Sequence, residues 1–151
     1  MFTPVVSTPM RVVYNRSINT SMEAVFNAWA DPSLLRLWIA PTKDHIVTVS
    51  RHELREGGEY CINMLNQRKE KLHVFWGNYR KVEPPHLLSF TWNWEECSLY
   101  LGETVATLQL EDIGGRTELT LIHEEFASED MRNRQSREWG DALDRLAKLL
   151  T

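Results

Sequence analysis

The spacing of apolar residues changes twice along this chain of 151 residues, and this change limits its fold more than any other feature. Apolar side chains recur at helical spacing over residues 20–40, alternate with polar ones over residues 45–124, and return to helical spacing over residues 128–150. A period of two is typical of strands, and a period near 3.6 is typical of helices. Because strands that follow one another through short turns pair antiparallel, the sequence predicts an α+β fold.

The first elements have recognisable start signals. Arg11–Ile18 alternates apolar and polar residues and is predicted to be a strand. Thr20, with Glu23 three residues later, forms a capping box, which predicts that a helix begins there. The Asp31-Pro32 pair predicts the end of that helix and the start of a second one, which Pro41 should stop.

The predicted strands of the alternating region are separated by turn signals. They are Val47–Leu54, Glu59–Leu65, Leu72–Val82, His86–Trp94, Thr104–Leu110 and Thr117–Glu124. Asn66–Lys71 is polar and is predicted to be a hairpin loop, and Pro84-Pro85 ends a strand because proline cannot continue the ladder. Leu72–Val82 carries Phe75 and Tyr79 on one face and Trp76 on the other, so alternation alone leaves open which face is buried.

The last predicted helix has two unlike halves. Ser128 is a suitable N-cap, and the helix should run to about Leu150. Its apolar stripe is formed by Trp139, Leu143, Leu146 and Leu150. Between Glu129 and Glu138, only Met131 is strongly apolar. We therefore expect the second half to be anchored in a core, and the first half to lie over solvent or over the mouth of a cavity between helix and sheet.

Composition excludes several classes of protein. Hydrophobic residues make up 42% and charged residues 25%, which is a globular mixture that argues against disorder. There are 17 basic and 21 acidic side chains, a net charge of −4, which disfavours a nucleic-acid partner. Cys61 and Cys97 do not have the spacing of a disulfide scaffold or a metal site. We predict no cofactor and no metal.

The ends of the chain carry no recognisable targeting signal. Met1–Pro9 lacks the basic start and apolar core of a signal peptide, and no apolar run is long enough to span a membrane. The expectation is a cytoplasmic protein, a monomer or homodimer, with residues 1–9 as a flexible tail and residues 10–151 as a single domain.

Several short segments occur in an order and spacing that match a known family. They are Val25–Pro32 with Leu37-Trp38, Arg55–Tyr60 with Met64, Gly77–Tyr79 with Val82–Pro85, Leu88–Trp92, Thr117–His123 and Trp139–Leu146. Through these segments the chain resembles the activators of heat-shock protein 90 ATPase, in the START-like (SRPBCC) superfamily. The resemblance implies the helix-grip fold of the birch-pollen allergen. In that fold, a curved antiparallel sheet of six or seven strands wraps a long C-terminal helix, and two short helices follow the first strand.

The chain departs from this family at two places. The family commonly has an Asp-Gly-type turn where this chain has Asn66–Lys71. It often has glycine before the closing tryptophan, where this chain has Glu138. We expect Glu138 to face solvent.

The resemblance implies a function in binding hydrophobic ligands. We predict a small hydrophobic or aromatic ligand in a cavity between the sheet and the last helix. Some superfamily members are cyclases or hydrolases, so an enzyme is an alternative, although a non-enzymatic protein is the preferred prediction. The family name adds a third hypothesis, a module that regulates a chaperone ATPase in the stress response.

The candidate ligand-binding residues are aromatic or lie on predicted inward faces. They are Phe26, Trp29, Trp38, Tyr60, Met64, Trp76, Trp92, His123, Met131 and Trp139. His123 continues the face of Leu119 and Leu121, so its imidazole should point inward, where it could bind a ligand or, in an enzyme, transfer protons. The alternatives also stand: a core histidine that bonds to a neighbour, and aromatic side chains that only fill the core. Apart from His123, no catalytic residue is predicted.

Overall fold

The computed structural model of the chain describes residues 10–40 and 42–151. Its strands are β1 (Val12–Ile18), β2 (His45–His52), β3 (Glu59–Asn66), β4 (Lys71–Glu83), β5 (Leu87–Glu96), β6 (Leu99–Asp112) and β7 (Thr117–Glu124). Its helices are α1 (Met22–Ala30), α2 (Pro32–Leu35) and α3 (Glu129–Leu149). The predicted tail over residues 1–9 and the predicted stop at Pro41 lie outside the described residues.

The strands form one antiparallel sheet in the order β1-β7-β6-β5-β4-β3-β2. Strands β2 to β7 follow one another along the chain, whereas β1 returns to pair with β7, with Val12 opposite His123. Register shifts interrupt the pairing of β2 with β3, of β4 with β5 and of β5 with β6. Such bulges bend a sheet. The predicted α+β helix-grip fold, with two short helices after the first strand, is confirmed.

The long helix α3 packs on this sheet mainly through its second half. Ser128 caps it, because its Oγ accepts a hydrogen bond from the backbone N–H of Met131 at 3.2 Å. The buried residues of the helix are Gln135, Trp139, Ala142, Leu143 and Leu146. Gln135 is the one buried residue of the first half, so the apolar anchor lies in the second half, as the sequence predicts.

Helix α1 begins one residue later than predicted. The N-cap is Ser21, whose Oγ accepts a hydrogen bond from the backbone N–H of Ala24 at 3.2 Å. The carbonyl of Thr20 instead accepts a hydrogen bond from the hydroxyl of Thr117 at 2.8 Å, which holds Thr20 in the turn after β1. The predicted capping box at Thr20 is therefore wrong by one residue.

Strand β6 begins at Leu99, five residues before the predicted Thr104. Cys97 and Ser98 form the β5–β6 turn with φ angles of 50° and 69°, and Leu99 pairs with Glu96 directly after it. Such left-handed turn positions usually hold glycine or asparagine, so the sequence carries no turn signal there.

Within residues 10–40 and 42–151, no helix is long and apolar enough to cross a membrane.

Candidate functional site

Aromatic side chains from α1, α3 and the sheet meet in the interior. The ring of Trp29 from α1 stacks on Trp139 from α3 with centroids 5.7 Å apart, and Trp92 from β5 lies 5.4 Å from Trp139. Phe75 from β4 stacks on Trp92 at 4.5 Å. These contacts occur because each element turns its apolar face to the same interior.

Small cavities remain among these aromatic residues. The inner cavity, of about 20 Å³, is lined by Trp29, Leu35, Ile39, Tyr60, Ile62, Tyr79, Leu88, Phe90 and Trp92. The middle cavity, of about 20 Å³, is lined by Ile39, Met64, Phe75, Trp92, Gln135, Glu138 and Trp139. The outer cavity, of about 10 Å³, is lined by His45, Met64, His73, Phe75 and Glu138. Each is close to the size of a single water molecule.

The cavities form a line that leads outward. Ile39 and Trp92 separate the inner cavity from the middle one, since both residues line both. Glu138 lines the middle cavity, the outer cavity and a larger surface cleft. Each cavity therefore shares wall residues with the next one, and the row of cavities extends from the aromatic centre to the surface beneath the first half of α3.

The surface cleft, which we call the polar cleft, has a volume of about 340 Å³. It is lined by Thr42, His45, Asn66, Lys69, Lys71, His73, Glu96, Arg134, Arg137, Glu138 and Asp141. Arg134 donates to both carboxylate oxygens of Glu96 at 3.3 Å and lies 4.6 Å from the Trp94 ring centroid. Burial alone would raise the pKa of Glu96, but the hydrogen bonds and charge of Arg134, together with His73 and Lys71, bring this pKa below its usual value.

Glu138 connects the polar cleft to the interior, so the expectation that it faces solvent is wrong. Its carboxylate accepts a hydrogen bond from Gln135 Nε2 at 3.2 Å. Burial raises its pKa from 4.5 to about 7, because the charged form loses hydration. The sequence carries a signal for this position: Glu138 lies directly before Trp139 and four residues before Ala142, on the flank of the apolar stripe.

His123 is buried away from the three cavities, and both of its ring nitrogens are engaged. The indole N–H of Trp139 donates to Nδ1 at 2.8 Å, so the ring proton belongs on Nε2. Nε2 then donates to Thr104 Oγ1 at 2.6 Å, and that hydroxyl donates to the carbonyl of Trp92 at 2.9 Å. Burial lowers the pKa of His123 to about 3, which keeps the imidazole neutral.

His123 is therefore a core histidine with satisfied partners, the alternative that the sequence left open. It lines none of the three cavities and has no free ring nitrogen to offer a ligand. The hydrogen bonds come from Trp139 on α3 and Thr104 on β6, which the alternation within β7 cannot reveal.

Trp76 also lies away from the cavities. Phe75 and Tyr79 are the buried side chains of β4, whereas Trp76 is half-buried on the opposite face, with its ring 5.7 Å from the exposed Tyr100. The structure thus settles the face of β4 that is turned inward. Trp76 was predicted to line the cavity, and this placement corrects that prediction.

The other candidate residues divide into two groups. The cavity walls contain Trp29, Tyr60, Met64, Trp92 and Trp139. The core around the cavities contains Phe26, Trp38 and the half-buried Met131. The wall residues that sequence reasoning missed include Ile39, Phe75, Gln135 and Glu138, of which Phe75 had a signal in the alternation of β4.

Solved structures with the same fold are numerous among known proteins. A protein from Chromobacterium violaceum superposes with a TM-score of 0.84 at 23% identity, over 93% of this chain and 96% of that one. The AHSA1 protein from Silicibacter pomeroyi gives 0.80 at 25% identity, over 93% and 97%. The AHSA1-like protein from Aeromonas hydrophila gives 0.75 at 26% identity, over 92% and 90%.

A search of curated proteins finds no match. The sequence profile of the family described as "Activator of Hsp90 ATPase homolog 1-like protein" matches residues 19–151. This match covers most of the chain and agrees with the strand order, the long terminal helix and the structural relatives. The chain belongs to the family of activator of Hsp90 ATPase homolog 1-like proteins.

Proposed function

We propose that this protein binds a small, apolar, aromatic molecule between the sheet and α3. The observation that carries the proposal is the line of aromatic-walled cavities that ends at the polar cleft beside Glu138. Flat aromatic walls favour a flat ligand, because offset and edge-to-face ring contacts add to the gain from apolar burial. Burying about 200 Å² of apolar ligand surface contributes about 5 kcal/mol.

Binding requires the walls to move apart. Ligand pockets commonly hold about 300 Å³ or more, far above the volume of these cavities. The first half of α3 is the wall that separates most easily, because it buries Gln135 and little apolar surface, whereas the second half is fixed by Trp139, Leu143 and Leu146. Entry through the polar cleft would bring a ligand past Gln135 and Glu138 into the middle cavity.

A matched pair of variants tests the proposal. Ile39 lines both the inner and the middle cavity, and Ile18 is equally buried but lines neither. We expect Ile39→Ala to bind a naphthalene probe at least about threefold more tightly than the parent protein, because the truncation joins and enlarges the cavities. Ile18→Ala should lose a similar amount of stability with unchanged probe affinity.

The measurement is a titration with naphthalene followed by tryptophan fluorescence, with circular dichroism to confirm that each variant is folded. Saturable binding by the parent protein, strengthened in Ile39→Ala alone, supports the site. Absence of binding by the parent protein, or an equal change in both variants, contradicts it.

Regulation of a chaperone ATPase is the second candidate, because the matched family carries that description. Its test is the ATPase rate of purified Hsp90 with and without an excess of this protein. An unchanged rate removes this candidate and leaves the ligand proposal intact.

The remaining predictions are also proposals: a cytoplasmic location, a monomer or homodimer, and an interior not built for acid–base catalysis through His123.

A further inference from the structure

The indole N–H groups in the interior fall into two classes. Trp38 donates to the carbonyl of Ala28 at 2.9 Å, and Trp139 donates to His123 at 2.8 Å. In contrast, Nε1 of Trp29 and Nε1 of Trp92 are buried and have no hydrogen-bond partner among the residues that the structure describes. Buried donors without a partner are rare in folded proteins, because their lost hydration is not compensated.

Both residues that carry an unpartnered donor line the inner cavity. Trp29 comes from α1 and Trp92 from β5, so the cavity lies where the helical layer meets the sheet. The other polar groups of this cavity are already used. The hydroxyl of Tyr60 donates to the carbonyl of Thr91, and the hydroxyl of Tyr79 bonds to His52 Nε2 at 3.1 Å.

Among the residues that the structure describes, the walls of the inner cavity also carry no charged side chain. A carboxylate or phosphate placed there would lose its hydration without a countercharge, which costs more than two indole hydrogen bonds return. The cavity is neutral and aromatic and has hydrogen-bond donors without acceptors. The ligand group that suits it is therefore an uncharged oxygen acceptor on a flat ring.

We propose, on the basis of the function proposed above, that the ligand is a neutral aromatic molecule with a carbonyl or ether oxygen, which accepts hydrogen bonds from the indole N–H groups of Trp29 and Trp92. The oxygen occupies the inner cavity, and the ring extends through the middle cavity towards Glu138. A hydrocarbon of equal shape leaves both donors unpaired, so it binds less tightly.

Two probes of nearly equal shape test this assignment: 2-acetylnaphthalene, which has a carbonyl, and 2-ethylnaphthalene, which has no acceptor. We expect the unmodified protein to bind the ketone about fivefold to tenfold more tightly than the hydrocarbon. Trp92→Phe and Trp29→Phe should each reduce this preference at least about twofold, since phenylalanine keeps an aromatic ring but has no N–H. Trp94→Phe is the control, because Trp94 lines none of the three cavities and its indole N–H already donates to His73 Nδ1 at 3.3 Å.

Indole N–H resonances of ¹⁵N-labelled unmodified protein give a readout that needs no variant. The signals of Trp29 and Trp92 should move downfield with the ketone alone. Those of Trp38 and Trp94 serve as internal references, because both indoles have partners and neither residue lines a cavity. If both probes bind with equal affinity and shift the Trp29 and Trp92 signals equally, the acceptor assignment is overturned, while the proposed binding function stands. Failure of both probes to bind overturns both proposals.

Discussion

Replacing Glu138 by glutamine should stabilise the protein above neutral pH. Burial raises the pKa of Glu138 from 4.5 to about 7. Between these pH values the folded carboxyl keeps a proton that the unfolded chain has released, so the free energy of unfolding decreases as pH rises through this window. Each pH unit corresponds to about 1.4 kcal/mol, and the whole window therefore to about 3 kcal/mol. Glutamine has nearly the same shape and no charge to bury.

The difference between variant and parent isolates this effect. Urea unfolding, followed by tryptophan fluorescence from about pH 5 to about pH 8.5, gives the free energy of unfolding for each protein. The variant should gain stability relative to the parent as pH rises, levelling off near pH 8 at up to about 3 kcal/mol. Histidine titration cancels in this difference because both proteins contain the same histidines.

The control is Glu111→Gln, which removes an exposed carboxylate on β6. It should stay within about 0.5 kcal/mol of the parent at every pH. A difference curve for Glu138→Gln that is flat across the same range would show that Glu138 is solvated, and the burial argument would then be refuted.

Three further predictions concern His123 and two glycines. The free energy of unfolding should fall as the pH decreases from 6.5 towards 3, because His123 becomes protonated in the unfolded chain but stays neutral in the folded protein. His123→Gln should flatten this pH dependence. An unchanged slope in urea titrations of the variant contradicts the assignment. Gly77→Ala should destabilise the fold by about 2 kcal/mol or more, since a Cβ there would lie 2.1 Å from the carbonyl oxygen of Thr91. A Cβ at Gly140 in α3 would meet no atom of the described residues within 4 Å, apart from its chain neighbours and the backbone of its own helix. Gly140→Ala should therefore raise the melting temperature through a gain of about 1 kcal/mol. Equal effects of the two glycine variants would contradict both predictions.

The fold could be predicted because local patterns and global packing agree. Asp31 caps α2 through a hydrogen bond that its Oδ1 accepts from the N–H of Ser33 at 2.9 Å, as its place before Pro32 indicates. Ser128 caps α3 in the same way. The β5–β6 turn was missed because its left-handed positions hold Cys97 and Ser98, which are not typical turn residues.

The site was less predictable because its properties depend on pairs of residues from different elements. The alternation of β7 turns His123 inward, but its hydrogen bonds depend on α3 and β6. Trp76 lies on a strand with aromatic side chains on both faces, so only the packed structure selects the inner face. The unpartnered donors of Trp29 and Trp92 likewise follow from packing, which no periodicity encodes.

The pairing of β1 with β7 has a consequence for synthesis on the ribosome. Val12 is made about 110 residues before its partner His123. Strands β2 to β6 can pair with their neighbours as they emerge, whereas β1 stays an open edge until β7 has left the exit tunnel. The nascent chain therefore carries an unshielded strand while β2 to β6 are made, and the segment from β7 to α3 closes the sheet and brings the long helix over it.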